Sequence, residues 1–151
     1  MRVHRVVLDV IAAHARRDSP RECCGMLIGT DSEVVEAVPA TNAASDPLRR
    51  YEIPAIEHLA QIKRCRELSK AAHVMVTVVG AYHSHPHSVP EPSPTDLAQA
   101  FEDFLYLIAG PVEIEGRFDV RAYWLRNGRF EAAELSVVEP PERATPRATT
   151  P

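Results

Sequence analysis

The sequence predicts a mixed β-sheet with helices packed against it, an α/β or α+β fold. Apolar residues recur with helical spacing near the N-terminus and again in the middle of the chain. Between these stretches lie short runs rich in β-branched residues, which favour strands. The two kinds of segment are interleaved without a strict β-α-β rhythm, and this irregular order favours a sheet of mixed strand directions.

The first segments predict a helix followed by a hairpin. Residues 6–17 carry apolar side chains at helical spacing, and Pro20 prevents the helix from continuing. The apolar run 24–29 (CGMLIG) suits a buried strand, with 34–40 as its hairpin partner across a turn at 30–32.

The middle of the chain predicts a loop, a helix and a central strand. Residues 41–50 are polar and typical of a loop, and Pro54 stands where it can open a helix over 55–70. Residues 74–82 (VMVTVVGAY) are rich in β-branched side chains and make the best candidate for a central strand.

The last third predicts a short helix over 95–102 after a proline-rich loop, and then three strands. These are expected at 104–109, 118–126 and 129–135, the last two joined by a hairpin turn at Asn127-Gly128. We therefore expect one domain over residues 1–138 and a disordered tail over 139–151, which has little to bury.

Composition excludes several function classes. The chain of 151 residues is 45% hydrophobic and 25% charged, with a formal net charge of −4. That balance provides no basic field for nucleic acid or an anionic membrane, and no apolar run approaches the ~20 residues of a membrane span. The N-terminus lacks the pattern of a secretory signal, so we expect a cytoplasmic protein.

Two histidines follow the predicted central strand. His83 and His85 alternate along an extended segment, so both imidazoles can face one point. Asp96 lies eleven residues beyond His85, across a proline-rich loop that can turn back towards it. Two imidazoles and one carboxylate are a common ligand set for catalytic zinc, which keeps a fourth position open.

Two further residues complete a candidate catalytic group. Glu22 lies just before the apolar strand at 24–29. If that strand neighbours the one leading to His83, the Glu22 carboxylate would stand over the metal as a general base and later as a general acid. Ser93 lies close to Asp96 in the chain, and its hydroxyl could donate to an oxyanion forming on a scissile carbonyl.

These residues resemble the motif of the JAMM (MPN+) metalloproteases. That motif is a distant Glu, then His-x-His, seven residues that begin with Pro, and Ser-x-x-Asp, which Glu22, 83–86 (HSHP) and 93–96 (SPTD) match. The stretches 20–29 (PRECCGMLIG), 50–53 (RYEI) and 80–82 (GAY), together with Asn42, are similar to the short bacterial members. The resemblance covers roughly residues 4–135.

The resemblance implies a mixed sheet flanked by helices, related in architecture to the zinc cytidine deaminases. It also implies zinc on His83, His85 and Asp96, water activation by Glu22, and oxyanion support from Ser93. Family members cut amide bonds next to the C-terminal glycines of ubiquitin-like proteins. The short bacterial type is similar to enzymes that act on sulfur-carrier proteins and release free cysteine.

Other interpretations concern single residues. A helix N-cap at Ser93 with Asp96 as the third helical residue would explain both without a metal. His87, in an exposed loop, is interpreted as incidental rather than as a fourth ligand, and Trp124 as packing within the sheet. The three cysteines are expected to be free, mostly buried thiols, although a cross-link from Cys65 to Cys23 or Cys24 stays open.

Three other protein classes share some of these sequence features. Nucleotide hydrolases of the histidine-triad type place hydrophobic residues between their histidines, where this chain has serine and proline at 84 and 86. A zinc deaminase would show His-x-Glu and a later Pro-Cys-x-x-Cys, which is missing from the sequence. A non-catalytic relative that binds a ubiquitin-like partner is the main alternative, but such scaffolds typically lose a ligand and this chain has all of them.

Overall fold

The computed structural model describes residues 1–111 and 118–139. Within them, eight strands form a single sheet, and three helices pack around it. In chain order the elements are β1 (Arg2–His4), α1 (Arg5–Asp18), β2 (Cys24–Gly29), β3 (Glu33–Ala40), α2 (Ala55–Ala72), β4 (Thr77–Ser84), α3 (Pro94–Gln99), β5 (Leu105–Pro111), β6 (Phe118–Arg126), β7 (Arg129–Ala133) and β8 (Ser136–Val138).

The sheet has the strand order β7-β6-β5-β4-β2-β3-β1-β8. Its hairpins β2–β3, β5–β6 and β6–β7 are antiparallel, as is the central β2–β4 pair. In contrast, β4 is parallel to β5, and β1 is parallel to both β3 and β8. The predicted mixed sheet is therefore confirmed.

Helix α1 covers one face of the sheet. Its apolar side chains Val7 and Ile11 are fully buried against Leu27 of β2 and Leu107 of β5. Arg17 lies in its last turn, where a cation interacts favourably with the helix dipole. The helical spacing of the apolar residues therefore determines which side of α1 packs against the sheet.

Helix α2 lies on the side of the sheet that faces away from α1. Its buried Cys65 packs with Met26 and Ile28, the neighbours of Leu27 on β2. Since successive side chains of a strand point to opposite faces, β2 is buried on both. This double burial explains why residues 24–29 are continuously apolar rather than alternating.

Two predicted boundaries differ from the structure by three residues, and the others differ by two or fewer. The central strand begins at Thr77 rather than at residue 74, because the backbone N–H and C=O of Val76 are both bonded to the hydroxyl of Ser69 in α2. Helix α3 ends at Gln99 rather than 102, since the N–H of Phe101 donates to the hydroxyl of Tyr106 at 2.7 Å.

Two strands were not predicted. Strands β1 and β8 have three residues each and pair with each other in parallel. Their partners lie far away in the chain, so a local pattern of three residues cannot indicate them. The predicted hairpin turn is confirmed, with φ values of 51° at Asn127 and 69° at Gly128.

The predicted disordered tail falls almost entirely on residues 140–151, which lie outside the described residues. Glu139, the last described residue, accepts a hydrogen bond from Arg5 at 2.6 Å. Among the described helices, none combines the length and the apolar character that crossing a bilayer requires.

Candidate metal centre

The two histidines lie at the end of the central strand β4. His83 pairs with Cys24 of β2, and the N–H of His85 donates to the carbonyl of Ala109 on β5 at 2.7 Å. Because Ser84 between them points to the opposite face, both imidazoles share one face of the sheet. Their Nε2 atoms are 3.1 Å apart.

Asp96 completes the group from the first turn of α3. Its Oδ1 lies 3.2 Å from His83 Nε2, and its Oδ2 lies 3.2 Å from His85 Nε2. The same carboxylate accepts a hydrogen bond from the N–H of Ser93, whose hydroxyl in turn accepts one from the N–H of Asp96. Asp96 therefore takes part in capping α3 and also approaches both histidines.

Burial and hydrogen bonding together set the pKa values of His83 and Asp96. His83 is completely buried, which lowers the pKa of its imidazole and favours the neutral form that can bind a metal. Burial alone would raise the pKa of Asp96, but its hydrogen bonds to His83 and His85 outweigh this effect and hold the pKa well below its usual range. Asp96 is therefore an anion in this site.

The arrangement of ligand atoms fits a divalent cation. The two Nε2 atoms are 3.1 Å apart, and each lies 3.2 Å from a different oxygen of Asp96. These separations are close to the edge of a tetrahedron around zinc, about 3.3 Å for bonds of about 2.0–2.1 Å. His85 Nδ1 lies 3.1 Å from the carbonyl oxygen of Val89, and a hydrogen bond there leaves Nε2 free as a ligand. His83, His85 and Asp96 thus form a JAMM-like metal site.

Glu22 is brought to the same site by the pairing of β2 with β4. The N–H of Ser84 donates to the carbonyl of Cys23, and this contact sets Glu22 beside His85. The Glu22 side chain is only 6% exposed, and its Oε2 has no hydrogen-bond partner among residues 1–111 and 118–139. Burial raises the pKa of Glu22 to about 7.

Ser93 lines the same cavity as Glu22 and His85, which has a volume of about 230 Å³. Its Oγ accepts a hydrogen bond from the N–H of Asp96 at 3.1 Å. The hydroxyl hydrogen is not used in that bond, so it remains available as a donor. All five residues of the predicted site are therefore brought together.

Two residues of the loop 41–53 support this site, although the sequence did not indicate their contacts. Asn42 donates to the carbonyl of Glu22 at 2.9 Å. Tyr51 is buried and stacks on the imidazole of His83, with 4.4 Å between ring centroids and 21° between ring planes. Loop residues have no periodicity, so neither contact carries a local signal.

The remaining sequence interpretations can be compared with the structure. His87 is exposed and is not one of the three grouped ligand residues, although it lines the cavity of Glu22 and Ser93, and Trp124 packs against the core formed with α1. The three thiols are buried and unpaired, and burial raises the pKa of Cys23 to about 11 and that of Cys24 to about 12. A cross-link among them is therefore not present.

Comparison with known proteins agrees with the site. A desampylase of Haloferax volcanii is 37% identical over 110 residues, covering 68% of this chain and 75% of that protein. A CysO-cysteine peptidase of Mycobacterium tuberculosis is 33% identical over 135 residues, covering 88% of both chains. A JAB1/MPN domain protein of Archaeoglobus fulgidus shares the fold, with a TM-score of 0.55 at 22% identity over 92% of this chain and 100% of that one.

The family described as prokaryotic homologs of the JAB domain matches residues 4–126. That span runs from β1 into β6 and contains the metal site, Glu22 and Ser93. The chain therefore belongs to the family of prokaryotic JAB-domain homologs.

Proposed function

We propose that the protein is a zinc-dependent peptidase that cuts the amide bond after the C-terminal glycines of a ubiquitin-like sulfur-carrier protein. It releases cysteine where cysteine is the attached group. The observation that carries this proposal is the group of His83, His85 and Asp96, of which His85 lines one cavity together with Glu22 and Ser93. The relatives named desampylase and CysO-cysteine peptidase support the substrate class.

Zinc is the metal that this donor set suits best. Two neutral imidazoles and one carboxylate would hold it and leave the fourth position open to the cavity. A zinc ion bound there supplies Lewis acidity, which polarises a carbonyl and makes water a nucleophile at neutral pH. Because Asp96 is the single anion among the three ligands, the site keeps a net positive charge when the metal is bound.

Glu22 is the general base and then the general acid in this proposal. Its buried Oε2, which has no partner in the described part of the chain, is free to accept a proton from the attacking water. A pKa raised to about 7 makes Glu22 able both to take that proton and to return it to the leaving amine.

Ser93 supports the oxygen of the scissile carbonyl. Its Oγ accepts a hydrogen bond from the N–H of Asp96, and its O–H, which that bond does not use, can donate into the cavity that Ser93 lines. A donor fixed in advance stabilises negative charge as it develops, at no cost of reorganisation. The oxyanion role uses the hydroxyl hydrogen of Ser93 as a donor, whereas the capping role uses a lone pair on its oxygen as an acceptor.

Location and partner follow from the same proposal. Three unpaired thiols agree with the reducing cytoplasm in which we place the protein. A ubiquitin-like sulfur-carrier protein is the proposed partner, and an enzyme and a non-catalytic scaffold would both bind it.

The test is hydrolysis of a sulfur-carrier protein that bears a C-terminal cysteine, with and without a chelator. We expect chelator-sensitive release of cysteine by the wild type, and none by Glu22→Ala although that variant keeps its zinc. His83→Ala should instead lose the metal. Binding of the carrier without cleavage by the zinc-loaded wild type would favour the scaffold, and near-normal hydrolysis by Glu22→Ala would remove Glu22 from its role.

A further inference from the structure

We infer that Tyr51 is a positioning residue for the metal ligand His83. The two rings are nearly parallel, with a centroid distance of 4.4 Å and an angle of 21°. Both are removed from solvent, with Tyr51 9% exposed and His83 0% exposed. The inference rests on the proposed metal site but does not depend on the peptidase activity.

The two histidine ligands are oriented in different ways. His85 has the carbonyl oxygen of Val89 at 3.1 Å from its Nδ1, the usual kind of support for a ligand imidazole. His83 Nδ1, in contrast, has no hydrogen-bond partner among the described residues and is buried. At Nδ1, therefore, no hydrogen bond holds the His83 ring, and its Nε2 faces Asp96 at the metal site. The stacked face of Tyr51 fixes the plane of the ring instead.

Asn42 fixes Tyr51 by holding the backbone on both sides of it. The side-chain N–H₂ of Asn42 donates to the carbonyl of Arg50 at 3.0 Å, and its carbonyl accepts from the N–H of Glu52 at 3.1 Å. The same N–H₂ group donates to the carbonyl of Glu22. One amide side chain thus links the segment that orients His83 to the residue beside the metal site.

Stacking also suits a cation-bound imidazole. A ligand ring that shares the charge of a metal becomes more positive, and the electron-rich face of a phenol ring attracts positive charge. Phenylalanine retains that face, whereas leucine fills the space without it. The ring, rather than the hydroxyl, should therefore determine the effect on metal affinity.

The test is zinc affinity, measured by competition with a chromogenic chelator on Tyr51→Phe and Tyr51→Leu. We expect Tyr51→Phe to stay within about 3-fold of the wild type. Tyr51→Leu should bind zinc about 10–100-fold more weakly, the range typical for loss of a residue that orients a ligand. Cobalt-substituted protein should show a changed ligand-field spectrum for the leucine variant only.

The matched control is Tyr106→Leu. Tyr106 is a buried tyrosine that lines the same apolar cavity as Tyr51, of about 430 Å³, while its hydroxyl accepts a hydrogen bond from Phe101. Equal losses of affinity in Tyr51→Leu and Tyr106→Leu would show a general packing effect and overturn the inference. Wild-type affinity in Tyr51→Leu would overturn it as well.

A second measurement covers the case in which Tyr51→Leu does not fold. In the wild-type protein without metal, the carbon-bound ring protons of His83 should resonate upfield of those of exposed His87, because the Tyr51 ring current acts on them. Equal shifts would contradict the stacking. If the wild-type protein binds no zinc, the proposed metal site is refuted. If Tyr51→Leu binds zinc as tightly as the wild type, only the role of Tyr51 is refuted.

Discussion

Asp96 Oδ2 accepts a hydrogen bond from the N–H of Ser93 at 2.6 Å while it lies 3.2 Å from His85 Nε2. The carboxylate that caps α3 is therefore also the anion of the metal site. This double contact ties the position of the ligand to the start of the helix, so the helix delivers Asp96 in a set orientation.

Asp96→Asn should strongly weaken metal binding but leave the fold intact. The asparagine carbonyl can still accept from the N–H of Ser93, whereas the charge that attracts the cation is lost. We expect zinc affinity to fall at least about 100-fold, measured by equilibrium dialysis, with an unchanged circular dichroism spectrum.

The control for that change is Asp103→Asn. Asp103 has a positive φ of 61°, which asparagine adopts readily, and it lies outside the metal-binding group. It should keep the zinc affinity of the wild type. Stoichiometric zinc in purified Asp96→Asn would contradict the assignment of Asp96 as a ligand.

Ser93→Ala and Ser93→Gly should separate catalysis from helix capping. Both remove the hydroxyl donor, so we expect kcat to fall about 10²–10³-fold in each, with zinc retained. Alanine at an N-cap costs about 1 kcal/mol in the free energy of unfolding, whereas glycine costs a few tenths. Kinetics and urea unfolding measure the two effects, and near-normal kcat in Ser93→Gly would rule out the oxyanion role.

Glu22→Gln should stabilise the metal-free protein at high pH. Burial raises the pKa of Glu22 from 4.5 to about 7, so the unfolded chain ionises first as the pH rises. The contribution of Glu22 to the free energy of unfolding is fully present below pH 4.5. It decreases by up to about 3 kcal/mol as the pH rises to about 7. Glutamine does not ionise, so the free energy of unfolding of Glu22→Gln does not show this decrease.

Urea unfolding at several pH values measures that difference. The curves of Glu22→Gln and the wild type should meet near pH 4.5 and diverge up to about pH 7, with the variant the more stable. As a control, Glu67→Gln alters an exposed carboxylate that pairs with Lys70 at 2.9 Å, and it should stay within about 0.5 kcal/mol of the wild type. A wild type more stable than Glu22→Gln at pH 8 would contradict the argument.

Gly80→Ala should destabilise the centre of the sheet. A Cβ at Gly80 would collide with the backbone carbonyl of Leu105 on the parallel neighbour β5. Backbone atoms cannot move aside without separating the strands, so we expect a loss of about 2–4 kcal/mol in urea unfolding.

Gly128→Ala provides the comparison for Gly80. A Cβ there meets nothing within 4 Å, and the only cost comes from its φ of 69°. A loss of about 1 kcal/mol is expected. If Gly80→Ala were no more harmful than Gly128→Ala, the close approach of β4 and β5 would not be a constraint on the fold.

Most elements could be predicted because their signals are local. Strands β2 and β6 begin and end where predicted, since turn residues or glycine bound their apolar runs. The short edge strands β1 and β8 could not be found, because each depends on partners supplied by distant parts of the chain. The start of β4 was placed three residues early because Ser69 bonds to the backbone of Val76.

By itself, the sequence determined the ligand types and their spacing. His83 and His85 alternate along a strand, and Asp96 follows at a distance that a short loop can span, so these three residues can be recognised without coordinates. Only the tertiary structure decided the rest. The pairing of β2 with β4 sets Glu22 beside His85. The path of a loop without periodicity stacks Tyr51 on His83. Both contacts join remote segments, and such contacts depend on the pairing of whole strands and not on any local pattern.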